Sequence, residues 1–198
     1  MYMQWLIWLI AFLLGTLPTG YIVVAIVKGE NIQKVGSGNI GSTNVGRVAG
    51  KRAALFTQAI DIGKGALATI IAMLWNQAHP TPYLVEIAAL LVILGHNYTP
   101  FLRFRGGKGV NTTGGAFLPL FPWAVGLAFV VHLTVRKITG IVSLSSILAG
   151  VTIIISTLWI YGWSSRVAAL IIAFVFVFWR HKDNINRLVH GEEAHERK

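Results

Sequence analysis

GAFLPLFPWAVG, residues 115–126, places Pro119 and Pro122 near the middle of an apolar run that extends from Thr112 to Val135. A proline inside a helix removes a backbone donor and its ring clashes with the preceding turn, so this run is not read as one continuous span. How often the chain crosses a bilayer turns on that break. The run has basic clusters before and after it, Arg103 to Lys108 and Arg136-Lys137. By the positive-inside rule both are cytoplasmic, so the chain must turn back between them. The prolines supply the turn, and two short helices are predicted on either side of it. Each is expected to be too short to cross alone, with its freed backbone groups packed against protein or water.

Working outward, further apolar runs cover Met3 to Val27, Ala53 to Trp75, Tyr83 to Gly95, Ile138 to Ile160 and Val167 to Trp179. At ~1.5 Å per residue about 20 residues cross a bilayer core, so the third and last runs must borrow flanking residues or tilt little. The composition agrees: 55% of the 198 residues are hydrophobic and 12% charged, too little polar surface for a soluble domain of this size. The first run has no basic segment ahead of it and no small-residue cleavage site near its end, so it is read as a retained span rather than a secretory signal.

Of 17 Lys and Arg residues, 15 lie in four places: 28–52, 103–108, 136–137 and 180–198. Those segments are assigned to the cytoplasm, and 76–82 and 161–166 to the outside. The expected fold is an all-α integral membrane protein, a seven-helix bundle with two short helices broken at Pro119/Pro122, N-terminus outside and C-terminus cytoplasmic. No internal repeat or low-complexity linker is visible, so residues 1–198 are read as a single domain. The absence of cysteine removes disulfides and thiolate metal sites.

The formal charge of +10 suits anionic substrates, anionic lipid or nucleic acid, and the motifs choose among them. Gly36-Ser37-Gly38-Asn39-Ile40-Gly41 fits G-x-G-x-x-G, but a dinucleotide fold needs a strand before it and an acidic residue that reaches the ribose. Here a membrane helix precedes it, and Asp61, 20 residues past Gly41, lies inside an apolar span. Gly41 to Val48 has Walker glycine spacing without the Lys-Ser/Thr ending. What remains is phosphate chemistry: close backbone approach, an amide nest, and donors Ser37, Asn39, Thr43, Asn44 and Arg47. A flexible connector is the plainer alternative.

Gly106-Gly107-Lys108-Gly109 is a second such loop, leading into a helix N-terminus. Its plainer reading is positive-inside anchoring by Arg103, Arg105 and Lys108. His96 and Asn97 are either interfacial caps or polar lining of the same site. In the tail, His181 and Asn184 share one helix face, and Asp183 and Arg187 another. Asp61 and Lys64, three residues apart in the second span, form an internal ion pair or a substrate contact; each charge costs roughly 2.5–3.5 kcal/mol at the membrane centre on insertion scales. The serines of TGIVSLSSILAG, 139–150, are read as helix-packing residues. No H-E-x-x-H, G-x-S-x-G or H-x4-D motif is present. A transporter for phosphate-bearing solutes and a basic scaffold for anionic lipid or nucleic acid are the rival classes.

Together these stretches resemble the membrane acyl-phosphate:glycerol-3-phosphate acyltransferases of bacteria, the PlsY type. The family's G-S-G-N-x-G-x-T-N-x-x-R motif is matched from Gly36 to Arg47. Gly95-His96 followed by Gly106 to Val110 matches the second motif. His181, Asn184, Ile185, Arg187, Leu188, Gly191 and Glu193 match the third, with Lys182 in place of Arg. Asn111 stands where the second motif usually has Ala. The resemblance implies transfer of a fatty acyl group from acyl phosphate to the 1-hydroxyl of glycerol 3-phosphate, at the cytoplasmic face of the bacterial inner membrane. It implies glycerol 3-phosphate, acyl phosphate and membrane lipid as partners, no nucleic acid, no cofactor and no metal. Lys108, His181, Asn184, Arg47 and Ser37 are the expected catalytic residues. Gly36, Gly38, Asn39, Thr43, Asn44, His96, Gly106, Gly107 and Gly109 are expected to bind substrate.

Overall fold

Proline and close glycine contacts decide how the apolar runs become helices. The structure, a computed structural model, describes residues 3–195. Among them are nine α-helices and no strand: α1 (Met3–Thr16), α2 (Thr19–Lys28), α3 (Ser42–Ala78), α4 (Leu84–Asn97), α5 (Val110–Phe117), α6 (Pro122–Thr139), α7 (Val142–Tyr161), α8 (Ser165–Trp179) and α9 (Lys182–Val189). Among the described residues, four stretches are long and apolar enough to cross a membrane: Met3–Lys28, Ser42–Ala78, Leu84–Leu102 and Val142–Tyr161. The chain divides into two compact units, one ending at Pro119 and the other beginning at Leu120.

In the first unit Pro18 interrupts the first apolar run, giving α1 and α2 where one span was expected. The carbonyls released at the break find donors in segments remote in sequence. Thr99 Oγ1 donates to Thr16 O at 2.7 Å and Lys64 Nζ to Leu17 O at 2.9 Å. α1 and α4 cross closely, because Gly15 lies against the Val92 backbone and Gly95 against Phe12 and Thr16. α3 is kinked at Gly50, whose φ of 85° only glycine adopts without strain. Beyond the kink α3 packs on α5 through two glycines, Gly65 against Thr112 and Gly115 against Ile62. A satellite core of Val23, Val24, Ile32, Ile40, Val45 and Leu102 anchors the segment between α2 and α3.

In the second unit α6 packs along α7, with α8 and α9 against α7 in turn. α6 starts with Pro122 in its first turn and ends at Gly140, whose N–H bonds Arg136 O at 2.8 Å; Arg136 and Lys137 in the last turn complement the helix dipole. The expectation of two short helices around the prolines is half corrected. The break falls at 118–121 and α5 has 8 residues, but α6 has 18. Once Pro122 has opened the helix, no residue before Gly140 interrupts it, and 18 residues extend ~27 Å. The amphipathic tail also folds as a helix, α9, separate from α8.

Candidate functional site

The segment between α2 and α3 is an ordered loop organised around one buried side chain, which removes the flexible-connector reading. Asn44 is 2% exposed. Its Oδ1 accepts from Ser37 N–H at 2.9 Å, and its Nδ2 donates to Val35 O at 3.1 Å and Asn39 O at 3.0 Å. Asn39 Oδ1 in turn accepts from Gly41 N–H at 2.8 Å. Gly36, at φ 59°, passes so close to Asn44 that no side chain fits there. The Asn44 amide, expected to bind substrate, makes three bonds within its own loop. Asn39 Oδ1 and the Ser37 and Gly38 amides are likewise engaged, the last with Val35 O at 3.1 Å.

This loop delivers the chain to the start of α3, where Gly41 O receives Asn44 N–H and Val45 N–H. The side chains of Ser37 and Arg47 are exposed at this end, and Thr43 lies in the first turn. Helix geometry leaves the earliest N–H groups of α3 without intrahelical acceptors, and the dipole favours an anion there.

The second loop is moulded on the end of α4. Gly106 N–H donates to Asn97 O and Gly107 N–H to His96 O, both at 3.1 Å. Those two amides, in the loop expected to hold the acyl-phosphate head group, are engaged with α4. At both positions only glycine is slim enough to lie on His96 and Asn97. Gly109 is the N-cap of α5, and Thr113 N–H bonds its carbonyl at 2.7 Å. The first-turn amides of α5 begin at Val110, with Lys108 two residues before it and half-buried.

The two helix starts are joined. Asn111 Nδ2 donates to Ser42 Oγ at 3.0 Å, and Gln33 Nε2 to Arg105 O at 3.0 Å. Ser37, Arg47 and Lys108 thus belong to one structure with two helix N-termini, a combination that suits two phosphate groups. His96 is buried and no interfacial cap; its Nδ1 lies 2.9 Å from Lys64 Nζ. Asp61 and Lys64 form the internal ion pair, at 2.8 Å.

In the second unit His181 is 2% exposed and N-caps α9. Its Nδ1 donates to Val177 O at 2.7 Å, since a carbonyl can only accept. In the neutral ring the lone pair then sits on Nε2, the arrangement of a proton acceptor. Asn184, on the same face, donates through Nδ2 to Glu193 Oε1, which also receives Ser143 Oγ at 2.8 Å. Glu193 Oε2 accepts from Arg187 Nε at 2.7 Å. Burial would raise the Glu193 pKa, but donors from Asn184, Ser143 and Arg187 outweigh it and hold the carboxyl below its ordinary value.

Sequence reasoning left Glu193, Arg187 and Ser143 out of the site. The third motif contained the signal, since it includes both Arg187 and Glu193. The packing-only reading of the 139–150 serines holds for Ser145 and Ser146, which bond Val142 O at 2.8 Å, and fails for Ser143. Arg187 pairs with Glu193 and not with Asp183 among the described contacts.

Fold and chemistry together define a class: a helical membrane protein whose glycine-moulded, basic helix N-termini suit phosphate esters. The family model described as glycerol-3-phosphate acyltransferase matches residues 5–191. The chain belongs to that glycerol-3-phosphate acyltransferase family. A relative of that name from Clostridium acetobutylicum is 44% identical over 189 residues, spanning 93% of this chain and 96% of the relative. Another, from Thermus thermophilus, is 39% identical over 185 residues, spanning 93% and 91%. The fold matches the crystal structure of PlsY (YgiH), an integral membrane glycerol 3-phosphate acyltransferase, in its glycerol 3-phosphate form. That match has a TM-score of 0.91 and 30% identity and covers 98% of this chain and 96% of that one. The lysophosphatidic acid form matches with TM-score 0.85 and 29% identity, covering 97% and 94%.

Proposed function

We propose that this membrane acyltransferase moves a fatty acyl group from acyl phosphate to the 1-hydroxyl of glycerol 3-phosphate, forming lysophosphatidate and inorganic phosphate. Acylation of glycerol 3-phosphate is the activity of its family. The observation that carries the donor and the mechanism is the bond from Asn111 to Ser42, which couples the N-termini of α3 and α5. Two anionic reactants need two such ends, each with its own basic residue.

An acyl phosphate is a mixed anhydride and already activated, so the enzyme needs no nucleophile of its own. The glycerol oxygen attacks the acyl carbon, the bond from that carbon to the phosphate oxygen breaks, and the phosphate leaves with the electron pair. Lys108 and the first-turn amides of α5 neutralise charge on that leaving group. Ser37 and Arg47 take the phosphate of the acceptor, Arg47 through its bidentate fork. His181 and Asn184, assigned through the motif they match, orient the attacking hydroxyl. The Glu193 carboxylate fixes Asn184 for that task. The hydroxyl proton passes either to His181 Nε2 or to a substrate phosphate oxygen.

The chain works as a single functional domain with seven crossings, N-terminus outside and C-terminus cytoplasmic, its site opening to the cytoplasm of the bacterial inner membrane. The basic segments support this orientation. Membrane lipid surrounds the bundle and supplies the route for the acyl chain. Purified protein in lipid vesicles, given labelled glycerol 3-phosphate and acyl phosphate, will form labelled lysophosphatidate. Parallel reactions with acyl-CoA and acylated carrier protein will not. Product from either of these alone refutes the donor assignment, and no product from any donor refutes the function.

A further inference from the structure

Asp61 and Lys64 lie on α3 past the Gly50 kink, ~15–20 Å along the helix from it, within an apolar span. An ion pair that serves only to hold a bundle is easily dispensed with, because a well-packed apolar pair of similar size is often as stable or more so. The partners of this pair point to a second use. Lys64 Nζ lies 2.8 Å from Asp61 Oδ1, 2.9 Å from Leu17 O and 2.9 Å from His96 Nδ1. Thr19 Oγ1 donates to Asp61 Oδ1 at 3.2 Å. An ammonium has three N–H groups and no acceptor. With Lys64 as the ammonium partner of Asp61, these acceptors account for all three N–H groups, which makes His96 Nδ1 an acceptor and puts the ring proton on Nε2; Asp61 Oδ1 lies farther from Nδ1, at 3.7 Å.

That nitrogen sits against the second loop. A Cβ added to Gly107 would overlap Nε2 and lie 2.8 Å from Cε1 and 3.0 Å from Cδ2 of the same ring. Gly107 has no positive φ, so it is glycine because of the ring and not because of its backbone conformation. The His96 carbonyl also receives Gly107 N–H. One histidine therefore braces the loop from both its main chain and its ring, and the buried pair holds the ring's other edge.

We propose that Asp61 and Lys64 are positioning residues for the reaction: they lock His96 in its Nε2–H tautomer and orientation, and through it set Gly107 and the neighbouring Lys108. The Pro18 break takes part, since it supplies the Leu17 carbonyl that completes the lysine's coordination. The link to turnover rests on the acyltransferase reading given above; the link from the pair to the loop does not.

The first test uses the unaltered protein with 15N-labelled histidine, the His96 signals assigned by difference from His96→Gln. Nδ1 is expected unprotonated and Nε2 protonated; Nδ1–H or a mixture of tautomers overturns the proposal. The second removes both charges together, Asp61→Leu with Lys64→Met, which avoids an orphaned buried charge. The double variant is expected to fold and to raise the KM for acyl phosphate and lower turnover, together roughly ten- to a hundredfold in kcat/KM, since about 1 Å of misplacement costs up to that much. The KM for glycerol 3-phosphate is expected to stay within about twofold on the same argument. Unchanged kinetics, or a fall in kcat with both KM values unchanged, overturns the positioning role. If the double variant does not fold, the tautomer measurement on the unaltered protein decides. If the unaltered protein makes no lysophosphatidate, the acyltransferase reading fails while the tautomer result still stands or falls alone.

Discussion

Gly114 and Gly115 are neighbours in α5 with opposite surroundings, and substituting each with alanine separates helix propensity from helix packing. A Cβ on Gly115 would overlap Ile62 O and lie 2.8 Å from Ile62 C and 2.9 Å from its Cα, where ordinary contacts are 3.4–4 Å. The obstacle is backbone, so no side chain can rotate away, and relieving the overlap with Ile62 O makes α5 retreat from α3 by about 1 Å. Overpacking of this kind costs about 1–3 kcal/mol. The retreat acts on the helix that carries Lys108 at its head, and it stretches the 3.0 Å bond from Asn111 to Ser42. A Cβ on Gly114 meets nothing within 4 Å. There alanine gains up to ~1 kcal/mol from helix propensity and loses nothing. Thermal unfolding in detergent, with turnover in vesicles, is the assay. Gly115→Ala should unfold several degrees lower and turn over at least tenfold slower, the latter by the ~10²-fold sensitivity of catalysis to an ångström of misplacement. Gly114→Ala should match or exceed the parent in stability and keep its rate. Two variants alike in both properties would refute the claim that α3 and α5 meet backbone to backbone.

Other outcomes follow from the same geometry. Lys108→Ala should lower turnover by about 10²–10³, the effect of losing one transition-state charge partner; an unchanged rate at saturating substrate removes it from the mechanism. His181→Gln distinguishes the two proton routes: near-normal turnover excludes His181 as an essential base and leaves the substrate phosphate. Glu193, with its folded-state pKa depressed, contributes stability that is present above its ordinary value near 4.5 and is lost as pH falls through the lower folded value. Protection of the α9 amides, measured relative to their intrinsic exchange at each pH, should therefore be high at pH 7 and fall only in strongly acidic solution. In Glu193→Gln that acid transition should be absent; if it persists there, another group is responsible.

Much of this protein is legible in the order of its residues. The apolar runs and the distribution of lysine and arginine identify a helical membrane protein because burial in lipid and positive-inside bias act on composition and local order alone. Pro119 and Pro122 placed a break correctly because the missing N–H is a local fact. The motifs marked the loops for the same reason. Pro18 carried the same signal, yet the first run was read as one span, since the partners that stabilise its break, Thr99 and Lys64, are remote in sequence.

The lengths on either side of the prolines, and the fate of each loop donor, depend on long-range packing. Whether a glycine amide meets phosphate or a helix carbonyl depends on what lies beside it. Gly106 and Gly107 proved to be fitted to His96 and Asn97, and Asn44 to its own loop. Glu193 came to Asn184 through the turn at Gly191, where the motif gave the spacing but not the contact. Residue type and local order were enough for the class of protein, the phosphate character of its loops and the motifs that name its family. Folding alone settled which polar groups are spent in building those loops, and that the buried Asp61–Lys64 pair reaches one of them through His96. Hydrogen bonds between distant segments decide which donors the fold uses, and that allocation exists only in the folded chain.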